Sequence, residues 1–260
     1  MQQKIGIFLF FILSVSVYGS DSDFIELLKK DLIIYSNVFN KNDSVFVLNH
    51  IETAGMKRFE IWKEAAELGI PEGQILLSLC YYYGAFVHDN YEKAFKWTRE
   101  AAKHGHVIAL HNLGECYSIG AGVSRDHHEA TKWFRKAAEH GFAESQYGFY
   151  LCYLVVDETG EYDRESAKWL RAAAEQGHVG AQHTLGRRFY DGVLDGIPRN
   201  IDECIKWLTK ASEQGDVDAQ ETLTNIIKQN NISIKIKSGA IESPRSTSRI
   251  FVSKRTRLRR

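Results

Sequence analysis

Trp97-Thr98-Arg99-Glu100-Ala101-Ala102-Lys103-His104-Gly105 returns without gaps as Trp133 to Gly141, Trp169 to Gly177 and Trp207 to Gly215, and an earlier copy ends in Ala65-Ala66-Glu67-Leu68-Gly69. Trp97, Trp133 and Trp169 stand 36 residues apart, Trp207 follows 38 later and Trp62 precedes by 35. The glycines at 69, 105, 141, 177 and 215 keep the same ruler, 36, 36, 36 and 38. A period of this length marks one supersecondary unit repeated along the chain. Such a unit cannot bury its apolar faces alone, so copies stack and share a core.

Each unit carries two helix signals. After the ruler glycine, apolar or aromatic residues stand four apart at Leu77 and Tyr81, Leu113 and Tyr117, Phe149 and Tyr153, Leu185 and Phe189, one stripe of a helix A. Small residues beside it (Gly73, Ala109, Ser145 and Ala181, then Ser78, Gly114 and Gly186) permit close backbone approach. Helix A is expected to stop at Gly84, Gly120 and Gly192. Helix B is expected to start near Asn90, Asp126 or Asn200, whose side chains accept from first-turn amides. Trp97, Trp133, Trp169 and Trp207, with Leu113, Tyr117, Leu185 and Phe189, are the expected repeat core. A fully buried Trp removes ~150–250 Å2 from water, so structural glue is the reading for this ladder, with ~3–5 kcal/mol expected for any Trp→Ala.

The run Ala109-Leu110-His111-Asn112-Leu113-Gly114-Glu115-Cys116-Tyr117-Ser118-Ile119-Gly120-Ala121-Gly122-Val123-Ser124-Arg125-Asp126, continued by Ala130, Trp133, Ala137, Ala138 and Gly141, resembles the Sel-1-like repeat of the tetratricopeptide superfamily. The resemblance covers about 56 to 228. It implies an all-α, right-handed α-solenoid of stacked antiparallel helix pairs, with helix A lining a concave surface that binds a protein or peptide. On that geometry the positions six, ten and thirteen after each ruler glycine line the groove: Ile75, His111, Tyr147 and His183; Leu79, Glu115, Leu151 and Arg187; Tyr82, Ser118, Leu154 and Tyr190. The third unit departs from the pattern at Tyr150, Val156 and the turn from Val155 to Glu161, and the fourth in the longer loop from Gly192 to Asn200.

Outside the repeats, the chain of 260 residues has 33 basic and 33 acidic side chains, 44% hydrophobic residues, 3 Pro and 4 Cys, which excludes a disordered polymer, a disulfide-dense miniprotein and a multi-span membrane protein. Residues 1–19 read as a secretory signal peptide: Lys4, an apolar run from Ile5 to Val17, and cleavage after Gly19. Residues 20–55 are expected to cap the stack, with an amphipathic helix over Asp23 to Tyr35. From Lys228 to Arg260 there are ten basic residues and one acid, a charge of +9, so the preceding 227 residues carry −9. The tail 229–260 is therefore expected to be a solvated end or an attachment to an anionic surface. No further stretch is long enough to span a membrane once the signal is removed, and nothing supports nucleic-acid binding.

Cys80, Cys116 and Cys152 recur at one place in three units. Stacked helices lie ~8–10 Å apart, too far for a ladder of disulfides, so these thiols read as small buried apolar groups. The pairs His104/His106 and His127/His128 lack a third ligand at helical spacing and are expected at helix ends, where positive charge suits the dipole. No catalytic residue, metal site or cofactor is expected. Some relatives are linked to β-lactam binding or hydrolysis, but the chain has no Ser-x-x-Lys, Gly-x-Ser-x-Gly or phosphate-gripping loop. The expected function is an exported protein-binding scaffold, periplasmic or secreted from a bacterium. An immunity or inhibitor protein against a toxic enzyme and a β-lactam-active enzyme stay open beside it.

Overall fold

In the first, second and fourth units helix B begins on a polar cap and helix A ends on a glycine, and this punctuation shapes the fold. The computed structural model describes residues 25–32, 56, 58–156, 164–192 and 199–230, and regular structure among them is α-helical. The helices are α1 (25–32), α2 (58–67), α3 (Pro71–Tyr83), α4 (Tyr91–Lys103), α5 (Val107–Ile119), α6 (His127–Glu139), α7 (Ala143–Val156), α8 (Arg164–Glu175), α9 (Val179–Asp191), α10 (Ile201–Glu213) and α11 (Val217–Gln229). The chain divides into two compact bodies, one holding α1 to α8 and one, from Gly177, holding α9 to α11.

Asn90, Asp126 and Asn200 accept from the amides of Lys93, Glu129 and Glu203 at 2.8, 3.0 and 3.1 Å, each a first-turn cap contributing ~1 kcal/mol. Gly84, Gly120 and Gly192 end their helices in the left-handed region, with φ of 72°, 82° and 76°. The ruler glycines also carry positive φ, between 73° and 99°. A side chain at these turns would be strained, which is why the ruler is kept in glycine.

In the first body the A helices α3, α5 and α7 each pack on their own B helix (α4, α6, α8), and α4 and α6 pack on the next A helix. Helix A is thus held on two sides and is apolar over most of its surface. Helix B meets neighbours on one broad face and is amphipathic. In the second body α10 packs on both α9 and α11.

Glycine sets the closeness. A Cβ at Gly114 would lie 2.7 Å from the Phe134 ring, and one at Gly148 3.1 Å from it, so Phe134 is sandwiched between two side-chain-free backbones. In the second body Gly186 meets Leu208 in the same way, at 2.8 Å. The residue after the ruler Trp is accordingly a core position in these four B helices: Thr98, Phe134, Leu170 and Leu208 are all at most 2% exposed. This corrects the reading of the Trp ladder. Trp62 and Trp207 are buried, but Trp97, Trp133 and Trp169 are half-buried, because one residue of helix turns the indole by 100° onto the flank. Lysine stems cover the rings there: Lys136 Nζ lies 4.1 Å from the Trp133 centroid and Lys168 Nζ 5.0 Å from that of Trp169. Leu113, Leu185 and Phe189 are buried as expected, while Tyr117 is half-buried, edge-on to Phe95 at 5.5 Å.

Tyr150 fills the small-residue place of the third unit and is fully buried, 6.2 Å from Tyr147 in a stacked pair. Before the repeats, α1 buries Leu28 and Leu32 in one cluster with Trp62 and Phe59. Asp31 receives Arg58 at 3.0 and 2.8 Å and the Trp62 indole N–H at 3.0 Å. The proposed signal segment, residues 20–24, 33–55 and 57, both irregular loops (157–163 and 193–198) and the basic tail from 231 lie outside the described residues. Among the described residues no helix is long and apolar enough to cross a membrane.

Candidate functional site

The groove positions grade from buried to open along the first body. At the sixth place, Ile75 is fully buried, and His111 is buried against the rings of Phe134 and Phe142 with its Nδ1 2.9 Å from the Ser145 hydroxyl. Tyr147 is half-buried on Tyr150. At the tenth place, Leu79 is buried, Glu115 is recessed and Leu151 is 43% exposed. At the thirteenth, Tyr82 is half-buried between Tyr83 and Tyr91, Ser118 accepts from the Cys152 thiol at 3.7 Å, and Leu154 is 38% exposed. Ile75, Leu79 and His111 are therefore core residues and not groove residues: the sixth position points into the next helix pair, and in α3 the tenth does too.

The surface that remains joins α3, α5 and α7 and holds Tyr82, Glu115, Ser118, Leu151 and Leu154. The sequence reading missed Ile119 and Val155, 55% and 60% exposed. Their signal was legible, since Ile119 stands one turn after Glu115 and Val155 one turn after Leu151, on the same faces. Glu115 is the chemically distinctive member. Burial pushes its carboxyl above the usual range, and no cation pairs with it among the described residues. After burial itself, its charge helps hold the Cys116 thiol protonated and, behind Cys116 and Tyr91, adds to the same upward push on the Tyr82 phenol.

The second body presents a different surface. His183 Nδ1 lies 3.3 Å from Asp216, which also caps α11 by accepting from the Ala219 amide at 2.9 Å. Arg187 is exposed, and Tyr190 donates to Gln229 Oε1 at 2.8 Å beneath the Arg199 guanidinium, 4.3 Å from its ring. Arg187, Tyr190, Asp191, Asn225, Ile226 and Gln229 line a cleft of about 360 Å3. Tyr190 thus ties α9 to α11 as well as facing the cleft.

The four cysteines are free and buried. Burial pushes Cys80, Cys116 and Cys204 up to about 12, so they are protonated thiols at neutral pH. Among the described residues no group of three or more His, Cys, Asp or Glu is arranged to hold a metal. The histidine reading needs one correction. His104 and His140 do end helices, but His106 caps the start of α5 and His127 and His128 open α6, the end where the dipole disfavours positive charge. Burial pushes His106 below the ordinary imidazole range, against the opposing pull of Glu72.

The sequence reading also missed a recurrent glutamine five places after the ruler glycine. Gln74 and Gln146 donate to the Ala66 and Ala138 carbonyls at 3.5 and 3.4 Å, Gln176 bonds Gln146 at 2.8 Å, and in the second body Gln214 bonds Gln182 at 2.8 Å. These bonds add a second donor to carbonyls that already accept from Gly69 and Gly141 and stitch successive helices together.

The family model of the Sel1 repeat matches residues 71–106, 107–142, 163–178 and 179–216. Among solved structures, a protective antigen present in uropathogenic Escherichia coli strains, displaying an SLR fold, superposes with a TM-score of 0.62 at 32% identity over 66% of this chain. This chain spans 36% of that antigen's length. A Sel1 repeat protein from Oxalobacter formigenes superposes with a TM-score of 0.60 at 28% identity, covering 67% of this chain and 70% of that one. No curated protein matches the chain.

Proposed function

Because the chain is a Sel1 repeat protein, of a kind that generally serves as a protein-interaction scaffold, we propose that it binds a partner polypeptide non-covalently on the helix-A surface of its first body. The observation that carries this is the open apolar patch Ile119, Leu151, Leu154 and Val155, between 38% and 60% exposed, on helices that otherwise bury their apolar side chains. Exposed aliphatic groups beside aromatic Tyr82 and a recessed polar group have the make-up of a binding surface.

The scaffold acts after export, in the bacterial envelope or outside the cell. The apolar run from Ile5 to Val17 supports that placement, and the likeness to a protective antigen agrees with it. Export is checked by fractionation with intact mass, which should show a chain beginning at Ser20; full-length material confined to the cytoplasm would refute it. Binding is checked by affinity capture with the mature chain and with Leu151→Ser/Leu154→Ser. A polypeptide retained by the first and lost by the second, with circular dichroism and Tm unchanged, supports the surface. Equal retention by both would remove it.

A further inference from the structure

The apolar patch shares its helix faces with a carboxylate that no cation pairs with among the described residues, and this asymmetry specifies the partner further than apolar contact alone. Glu115 sits on α5 one turn before exposed Ile119. It lies near enough to Tyr82 on α3 and to Cys152 on α7 to bias the ionisation of both. Ser118, on the same helix face, is joined to α7 through the Cys152 thiol at 3.7 Å. The carboxylate therefore stands where three A helices converge, with Tyr82 on one side and Leu151 and Leu154 on the other.

Two other carboxylates of the first body have a cation at hand, Asp31 with Arg58 at 2.8 Å and Glu165 with Arg135 at 2.7 Å, whereas Glu115 has none among the described residues. Glu115 is recessed, its partial burial holds the carboxyl above the usual range, and no cation among the described residues offsets this, so an arriving positive group would relieve the penalty. The body before the tail is acidic as a whole, at −9 up to residue 227, so its long-range field attracts the same sign of partner.

We propose that Glu115 receives a lysine or arginine side chain of the partner, so that the first body selects segments in which one basic residue is flanked by apolar ones. The proposal rests on the protein-binding reading and names the chemistry of its ligand. The aliphatic neighbours of the basic residue lie on Ile119, Leu151, Leu154 and Val155, and the aliphatic stem of the cation runs past Tyr82. Charge supplies the choice of segment, and apolar burial supplies most of the affinity.

The probe is an oriented library of fluorescent twelve-residue peptides with fixed Leu and Ile positions and one central position varied through Lys, Arg, Gln, Leu and Glu. Binding is measured by anisotropy on the full mature chain. Lys and Arg peptides should bind at least about tenfold more tightly than the Gln peptide, and the Glu peptide more weakly still. Glu115→Gln should remove the preference for Lys and Arg over Gln, the Lys and Arg peptides losing their roughly tenfold advantage. Leu151→Ser/Leu154→Ser should weaken the Lys and Gln peptides alike. Binding that ignores the central residue, or a Lys preference that survives Glu115→Gln, would overturn the cation site while the scaffold reading stands. Absence of binding by every peptide would overturn both. Carbodiimide coupling of Glu115 to Lys235 or Lys237 within one chain would show that the chain's own basic end is the occupant and would also overturn the proposal.

Discussion

Phe134 and Trp133 are neighbours in sequence, and their fates differ because one residue of helix separates a face from a flank. Phe134 lies between Gly114 and Gly148 with 1% exposure, so Phe134→Ala should destabilise by ~3–5 kcal/mol. Trp133→Ala removes a half-buried ring covered by Lys136 and should lose ~1–2 kcal/mol, less than Phe134→Ala even though the side chain is larger. Urea unfolding of both variants checks the order, and a reversal would restore the indole to the core. Gly122 is more exacting still: φ is 71° and a methyl group would collide with the Tyr91 carbonyl, so Gly122→Ala should lower Tm far more than alanine at an ordinary turn glycine. Glu115 carries a pH signature. Its folded carboxyl titrates above its unfolded value, so the folded state binds the proton more tightly. Stability is therefore gained as pH falls through the window between those values, and the penalty is fully present above the folded one. Glu115→Gln should raise Tm at pH 7 and lose that advantage below the ordinary carboxylate range, as a pH series of thermal melts will read.

Among the elements, α1 depends on tertiary contact, since eight residues of helix are marginal in isolation. Leu28 and Leu32 dock it, and Asp31 satisfies both Arg58 and the Trp62 indole. Asp31→Ala strands two donors at once and should destabilise by ~2–4 kcal/mol, with amide exchange in 25–32 and 58–67 accelerating before the rest. Unchanged exchange there would show that α1 is held by its leucines alone. The Cys ladder is also a property of elements, since each thiol lies on the buried side of a helix. Alkylation at pH 8 should be slow in the native protein and reach all four thiols on unfolding. Rapid native labelling of Cys80 would contradict its burial.

Across the molecule, stability is a sum of unit and neighbour terms, because each helix meets mainly the ones before and after it. Leu208→Ala empties the contact with Gly186 in the second body. Amide exchange should accelerate through α9 to α11 while protection in α3 to α6 changes little; uniform loss of protection would mean that the two bodies unfold as one cooperative unit. The same locality explains why an apolar patch can stay open on α5 and α7. Core formation is completed between adjacent helices, so Leu151 and Leu154 are not needed inside it and stay 43% and 38% exposed.

The ruler of glycines and tryptophans, the caps at Asn90, Asp126 and Asn200 and the stops at Gly84, Gly120 and Gly192 were legible in the chain itself, because period, backbone handedness and capping are local properties of a few residues. Which side of a helix meets its neighbour is not local. The burial of Ile75, Leu79 and His111, the half-buried flank position of Trp97, Trp133 and Trp169 against the core, and the raised carboxyl of Glu115 followed only once glycine contacts such as Gly114 with Phe134 had set how closely and at what rotation the helices pack. A repeat specifies its own turns; the depth of each side chain belongs to the pair of helices that enclose it.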